Sequence, residues 1–106
     1  MGKVPDEIKK LQGFFLSIAT EKVEEMKKAL QQKNLSLIRT YAHQLKGSGA
    51  SFGFPEISKI AEQIENECLT DSQDKVEKLI NEMDELLRII NSKNPPNAGI
   101  DLPSDD

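Results

Sequence analysis

An all-α fold, an antiparallel up-down bundle of four helices, is what this sequence predicts, and three observations carry it. Apolar residues recur at helical spacing almost throughout, and no run of Val, Ile and aromatic residues alternates with period two. Glycines and prolines punctuate the apolar stripes instead of separating short strands. The connections between stripes are about two to four residues long, which favours antiparallel neighbours.

The first helical region starts at Pro5, a favoured first-turn residue, with Asp6 and Glu7 at the end where the helix dipole prefers negative charge. Gly13 is a candidate break, which would leave a short N-terminal helix ahead of a longer one over about residues 14–31. Leu11, Phe14, Phe15, Ile18, Met26, Ala29 and Leu30 form one broad apolar side, and Glu21, Glu24, Glu25, Lys27 and Lys28 point mostly to water. Asn34 caps a second helix, roughly 35–52, and Gly53 ends it by turning left-handed. Pro55 opens a third, about 55–69, with Ile57, Ile60, Ala61, Ile64 and Cys68 inward. Thr70 followed by Gln73 resembles a capping box for a fourth, about 71–91, whose inward stripe is Val76, Leu79, Ile80, Met83, Leu86, Leu87 and Ile90. Residues 1–92 read as the bundle. Residues 93–106, rich in Pro and Asp, read as a disordered tail or linker.

Composition removes several classes of function. The 106 residues suit one small domain, and the net charge of −4 with no dense basic run argues against nucleic acid or an anionic membrane as partner. No apolar stretch approaches a membrane span, and no signal-peptide pattern opens the chain. One cysteine, Cys68, excludes an internal disulfide and suggests a reducing, cytoplasmic compartment. One histidine, His43, excludes a multi-histidine metal site within a single chain. Little chemistry is left.

What remains lies in residues 41–53, Tyr-Ala-His-Gln-Leu-Lys-Gly-Ser-Gly-Ala-Ser-Phe-Gly. At 100° per residue, Leu37, Ile38, Tyr41, Ala42, Leu45, Gly49 and Phe52 share the core face, and His43 lies opposite its centre. Its neighbours one and two turns away are Ser36, Arg39, Thr40, Lys46, Gly47 and Ala50, four of them small. A lone helical histidine is usually an uninformative surface residue, and Gly49 has a packing explanation on the core face. Gly47 has none, since Ala, Lys or Glu would stabilise a solvated position better. An outward glycine beside a histidine makes sense where another molecule must come close to the imidazole.

Imidazole is neutral over much of the physiological range, and one ring nitrogen attacks when the other keeps its proton and donates to an acceptor. Phosphoryl transfer asks the protein for little beyond positioning and charge compensation. Lys46, one turn on from His43, can approach the oxygens of a phosphoryl group held there. Glu62 and Glu65 both lie on a flank of the third helix that could supply the acceptor. Glu65 is preferred, although periodicity does not choose between them, and a solvated carboxylate is the plain alternative for either.

Ala42-His43-Gln44-Leu45-Lys46-Gly47-Ser48, continued by Ser51-Phe52-Gly53, resembles the signature of the histidine-containing phosphotransfer (HPt) domain family. The pattern is His, a hydrophobic residue two on, Lys three on, Gly four on and a second Gly ten on. The resemblance implies a four-helix bundle that is not itself an enzyme. It implies a phosphorelay intermediate of two-component signal transduction that takes a phosphoryl group from a receiver aspartate, or from a histidine kinase, and passes it to another receiver. On this resemblance His43 is the phosphoacceptor, Lys46 assists phosphate charge, Gly47 lets the receiver approach, and Glu65 stands where the family often bonds the imidazole. Arg39, Thr40, Gln44 and Ala50 join Gly47 in the partner-binding rim. No cofactor is expected, magnesium belonging to the receiver's acidic site. The partners implied are a response-regulator receiver domain and a hybrid sensor histidine kinase, with the chain itself a monomer. The alternative is a helical adaptor that binds receivers without being phosphorylated. An autonomous kinase or phosphatase is disfavoured by the lack of a P-loop, and a zinc or haem site by the lack of ligands.

Overall fold

The computed structural model describes residues 6–93, which form four helices: α1 (Asp6–Gln31), α2 (Leu35–Ser51), α3 (Pro55–Leu69) and α4 (Gln73–Lys93). Pro5 and residues 94–106, including nearly all of the expected tail, lie outside the described residues.

The three connections share one device. At the end of α1, Lys33 N–H donates to Leu30 and Asn34 N–H to Ala29, with Lys33 left-handed at φ 58°. After α2, Gly53 (φ 87°) donates to Ala50 and Phe54 to Gly49. After α3, Asp71 (φ 59°) donates to Cys68 and Ser72 to Glu67. Each is a Schellman motif, which satisfies helix-end carbonyls and reverses the chain within three residues. The residue that closes each motif then serves the next helix. Asn34 Oδ1 accepts from Leu37 N–H at 3.1 Å, the Phe54 carbonyl accepts from Ile57 and Ser58, and the Ser72 carbonyl accepts from Val76.

Side-chain pairs set the directions. Gln12 Nε2 donates to the Phe52 carbonyl at 2.8 Å and Lys22 lies over the Tyr41 ring, so α1 and α2 run antiparallel. Thr20 with Asn91 and Lys27 with Asp84 do the same for α1 and α4. With α2 on α3 and α3 on α4, the four helices close a ring around one core. Leu16, Val23, Met26, Ile38, Leu45, Ile57, Ile64, Val76, Ile80, Met83 and Leu87 fill it. Among the described residues no polar or charged residue is buried, so the hydrophobic effect holds the core together.

Three details differ from the expectations. First, α1 runs unbroken through Gly13, so there is no separate short N-terminal helix. A helical glycine costs about 1 kcal/mol relative to alanine, and Gly13 is buried between anchors on either side: the Gln12 bond, and Phe15 stacked on Phe52 and Phe54 at 5.2 and 5.8 Å. Second, Leu11 and Phe14 are exposed, and the inward stripe is Phe15, Leu16, Ala19, Val23, Met26 and Ala29. The segment holds more apolar residues than one helix face can bury, and packing against Phe52 and Phe54 selects Phe15. Third, Thr70 does not cap α4. It closes α3, its hydroxyl donating to the Glu67 carbonyl at 2.9 Å, and α4 begins only at Gln73.

Candidate functional site: a histidine held by a shared carboxylate

His43 sits midway along α2 on the face opposite Ile38, Ala42, Leu45 and Gly49, and its side chain is 67% exposed. Its place follows from the stripe: burying Ala42 and Leu45 turns position 43 outward. Nδ1 lies 2.9 Å from Oε2 of Glu65 on α3. A carboxylate accepts but does not donate, so the Nδ1–H donates and a neutral ring keeps its lone pair on Nε2. Among the described residues Nε2 has no hydrogen-bond partner.

Glu65 is only 14% exposed, and its other oxygen, Oε1, lies 3.0 Å from Lys46 Nζ. The Lys46 ammonium holds the Glu65 carboxyl below the usual carboxylate range, helped by His43 and opposed by partial burial. One carboxylate thus bridges two side chains a helical turn apart on α2.

The register that allows this is set further along the two helices. A Cβ on Gly49 would lie 3.0 Å from the Ser58 nitrogen and 3.2 Å from the Phe54 carbonyl oxygen, so only glycine lets the start of α3 come so near. Ser58 Oγ donates to the Lys46 carbonyl at 2.7 Å, tying α3 to the residue whose ammonium meets Glu65. Ser58 and Glu65 are seven positions apart and face α2 together. Gly47 points to open space, with nothing near its missing Cβ.

The structure therefore brings His43, Lys46 and Glu65 together and leaves Glu62 exposed and outside the cluster. Arg39, Thr40, Gln44, Gly47 and Ala50 are all exposed along the same helix. Two features escaped the sequence reading: Ser58, and the ion pair that engages Lys46 with Glu65 rather than leaving it open for an anion. The seven-residue spacing of Ser58 and Glu65 was the available signal. Cys68 is only partly buried, at the edge of the stripe, and burial pushes its thiol up to about 11. Among the described residues no group of three His, Cys, Asp or Glu side chains could hold a metal ion, and no helix is long and apolar enough to cross a membrane.

The chain matches the Hpt domain family over residues 10–89, a span that contains every residue of this cluster. The chain belongs to the Hpt domain family. It is also similar to the phosphorelay intermediate protein YPD1 of Candida albicans, 41% identical over 58 residues that make up 55% of this chain. The matched stretch covers 32% of that protein's length. No solved structure matches the chain. The Hpt match takes in most of α1 and α4 together with all of α2 and α3, so it includes part or all of every helix in the ring that presents His43.

Proposed function

We propose that this Hpt domain is a phosphorelay intermediate that carries a phosphoryl group on Nε2 of His43. It takes the group from the aspartyl phosphate of a response-regulator receiver domain, or from a hybrid sensor histidine kinase, and passes it to the aspartate of another receiver. The observation that carries this reading is a largely exposed imidazole whose Nδ1–H is committed to Glu65, which leaves Nε2 as the attacking atom.

In the reaction Nε2 attacks phosphorus in line as the bond to the aspartyl oxygen breaks. Little covalent work falls to the protein, so orientation and charge dominate the rate. Glu65 fixes the tautomer and the ring plane, and Lys46 offsets charge on the phosphoryl oxygens. Gly47, Arg39, Thr40, Gln44 and Ala50 form the rim the receiver meets, with Gly47 keeping the approach low. The divalent metal that chemistry at the aspartate requires is magnesium in the receiver's own acidic site. A cytoplasmic, monomeric domain completes the reading.

Incubation with a panel of phosphorylated receivers tests it, with His43→Gln as control. The wild type is expected to acquire acid-labile phosphate and the variant none, while both stay folded because the side chain is exposed. Labelling of the variant would remove His43 from the reaction. Receiver binding without labelling of either protein would make the domain an adaptor.

A further inference from the structure

Arg39 and Lys46 flank His43 on one face of α2, four residues before it and three after, positions whose Cβ atoms stand about 5–6 Å from that of His43. Only one of these two cations is engaged. Lys46 Nζ lies 3.0 Å from Oε1 of Glu65, whereas Arg39 is exposed and makes no ion pair among the described residues. Its charge nevertheless bears on the groove that holds Glu65. Burial lifts the Cys68 thiol, one turn along α3 from Glu65, and Arg39 is the first charge that opposes the lift. Thr40, beside it, already donates its hydroxyl to the Ser36 carbonyl at 3.2 Å.

Resting on the reading of His43 as phosphoacceptor, we propose that Arg39 is a second phosphoryl-binding residue, whose guanidinium takes two oxygens of the group on Nε2 while Lys46 acts from its place on Glu65. Side chains on a helix lean toward its N-terminus, so the His43 ring stands over the turn that carries Arg39 and Thr40. With Nδ1 held by Glu65, a group on Nε2 is on the exposed side of the ring, and an arginine rooted one turn away reaches it. Charge sets the need. While the ring is neutral, Lys46 and Glu65 cancel, and the phosphoryl group then brings roughly −1.5 to −2. A guanidinium meets that charge with two parallel N–H donors, and Arg39 has no carboxylate to give up first. The contact is ionic, so no bond beyond the N–P and P–O bonds already described forms or breaks.

The surroundings leave this role to Arg39. On α2 the other neighbours of His43, namely Ser36, Thr40, Gln44, Gly47 and Ala50, carry no charge. From α3, Glu62 is an exposed carboxylate and Glu65 is shared between His43 and Lys46. From α1, Lys22 lies over the Tyr41 ring, 5.2 Å from its centre.

The test labels His43 with phosphoramidate, a small phosphodonor that needs no receiver, so contacts at the rim play no part. Phosphorus-31 spectra then follow the second ionisation of the phosphoryl group from about pH 5 to about pH 9 in wild type and Arg39→Gln. Each titration is run at low salt and in about 1 M salt, where the Debye length is about 3 Å. A neighbouring cation favours the dianion, so the midpoint is expected to rise by about one pH unit in the variant and to keep most of that rise in high salt. The same midpoint in both proteins, or a rise that high salt abolishes, overturns the contact and leaves the phosphoacceptor reading intact. Failure of the wild type to take phosphate on His43 from phosphoramidate or from any phosphorylated receiver overturns both. The side-chain N–H signals of Arg39 in the wild type need no variant. Their displacement on phosphorylation supports the contact, and signals that stay in place overturn it.

Discussion

On the proposed reading, His43 attacks through Nε2 because a second helix takes its other nitrogen out of competition. The Nδ1–H bond to Glu65 fixes the lone pair on Nε2, and Lys46 keeps Glu65 ionised. If Lys46 assists the phosphoryl group as proposed, removing it acts twice, on the phosphoryl oxygens and on the carboxylate. Lys46→Ala is expected to slow transfer about tenfold to a hundredfold without abolishing it, the range set by one charge-assisted contact. Rapid-quench kinetics against one receiver would measure it, and an unchanged rate would exclude Lys46 from the reaction. Of the residues in this cluster, His43, Lys46 and Gly47 were legible in the sequence because they share one helix, where position fixes direction. Glu65 was preferred over Glu62 but not separated from it, since that choice depends on how far α3 slides along α2.

At the scale of the element, α2 carries two glycines with opposite reasons to exist. Gly49 lets the start of α3 approach, whereas Gly47 touches nothing. Gly49→Ala should lower stability by about 1–3 kcal/mol, because backbone atoms of Phe54 and Ser58 must give way. Gly47→Ala should raise stability by about 1 kcal/mol, as expected for an unobstructed helix position, and should slow transfer by crowding the receiver. Urea denaturation of both variants checks the opposite signs. A stability gain with an unchanged transfer rate would show that the receiver does not pass over Gly47. The connections divide in the same way. Gly53 announced its left-handed turn and Asp71 is of a type that tolerates one, but Lys33 takes that conformation without a residue that favours it. Tertiary closure of the ring imposes it on Lys33. Thr70 was misread for the same reason: a residue between two helices suits the end of one as well as the start of the next, and the length of the turn decides.

Across the whole molecule, a few ion pairs tie the outer faces of the ring. Lys27 on α1 meets Asp84 on α4 at 2.8 Å, and Arg88 approaches the same carboxylate at 3.3 Å. Lys27 first, then Arg88, hold the Asp84 carboxyl below its usual range, as Lys46 and His43 do for Glu65. A carboxyl whose value is lower in the folded state adds stability that is complete above its unfolded value, about 3.9 for Asp and 4.3 for Glu. That stability is lost as pH falls through the folded value. Thermal stability should therefore be level near neutrality and decline below about pH 4–5, and the decline should be shallower in Asp84→Asn. Calorimetry from about pH 7 down to about pH 3 checks this, and identical acid limbs would mean that the pair contributes nothing. Ile8, Leu11 and Phe14 remain exposed along the first half of α1, with Phe14 at 65%. Single-chain periodicity had placed Leu11 and Phe14 inside, and only the ring geometry shows that Phe15 and Leu16 fill the available space.

Four helices, their approximate limits, the inward stripes of α2, α3 and α4, and an outward histidine beside an outward glycine all follow from local sequence. Each depends on one helical period and on turn chemistry within a few residues. The unbroken course of α1, the side of it that is buried, the partner of His43 and the engagement of Lys46 were decided by tertiary structure. These depend on the rotation and slide of one helix against another, which arise where Gly49 meets Phe54 and Ser58 and where Phe15 meets Phe52 and Phe54. Such contacts join residues far apart in the chain, and helical period contains no term that sets them.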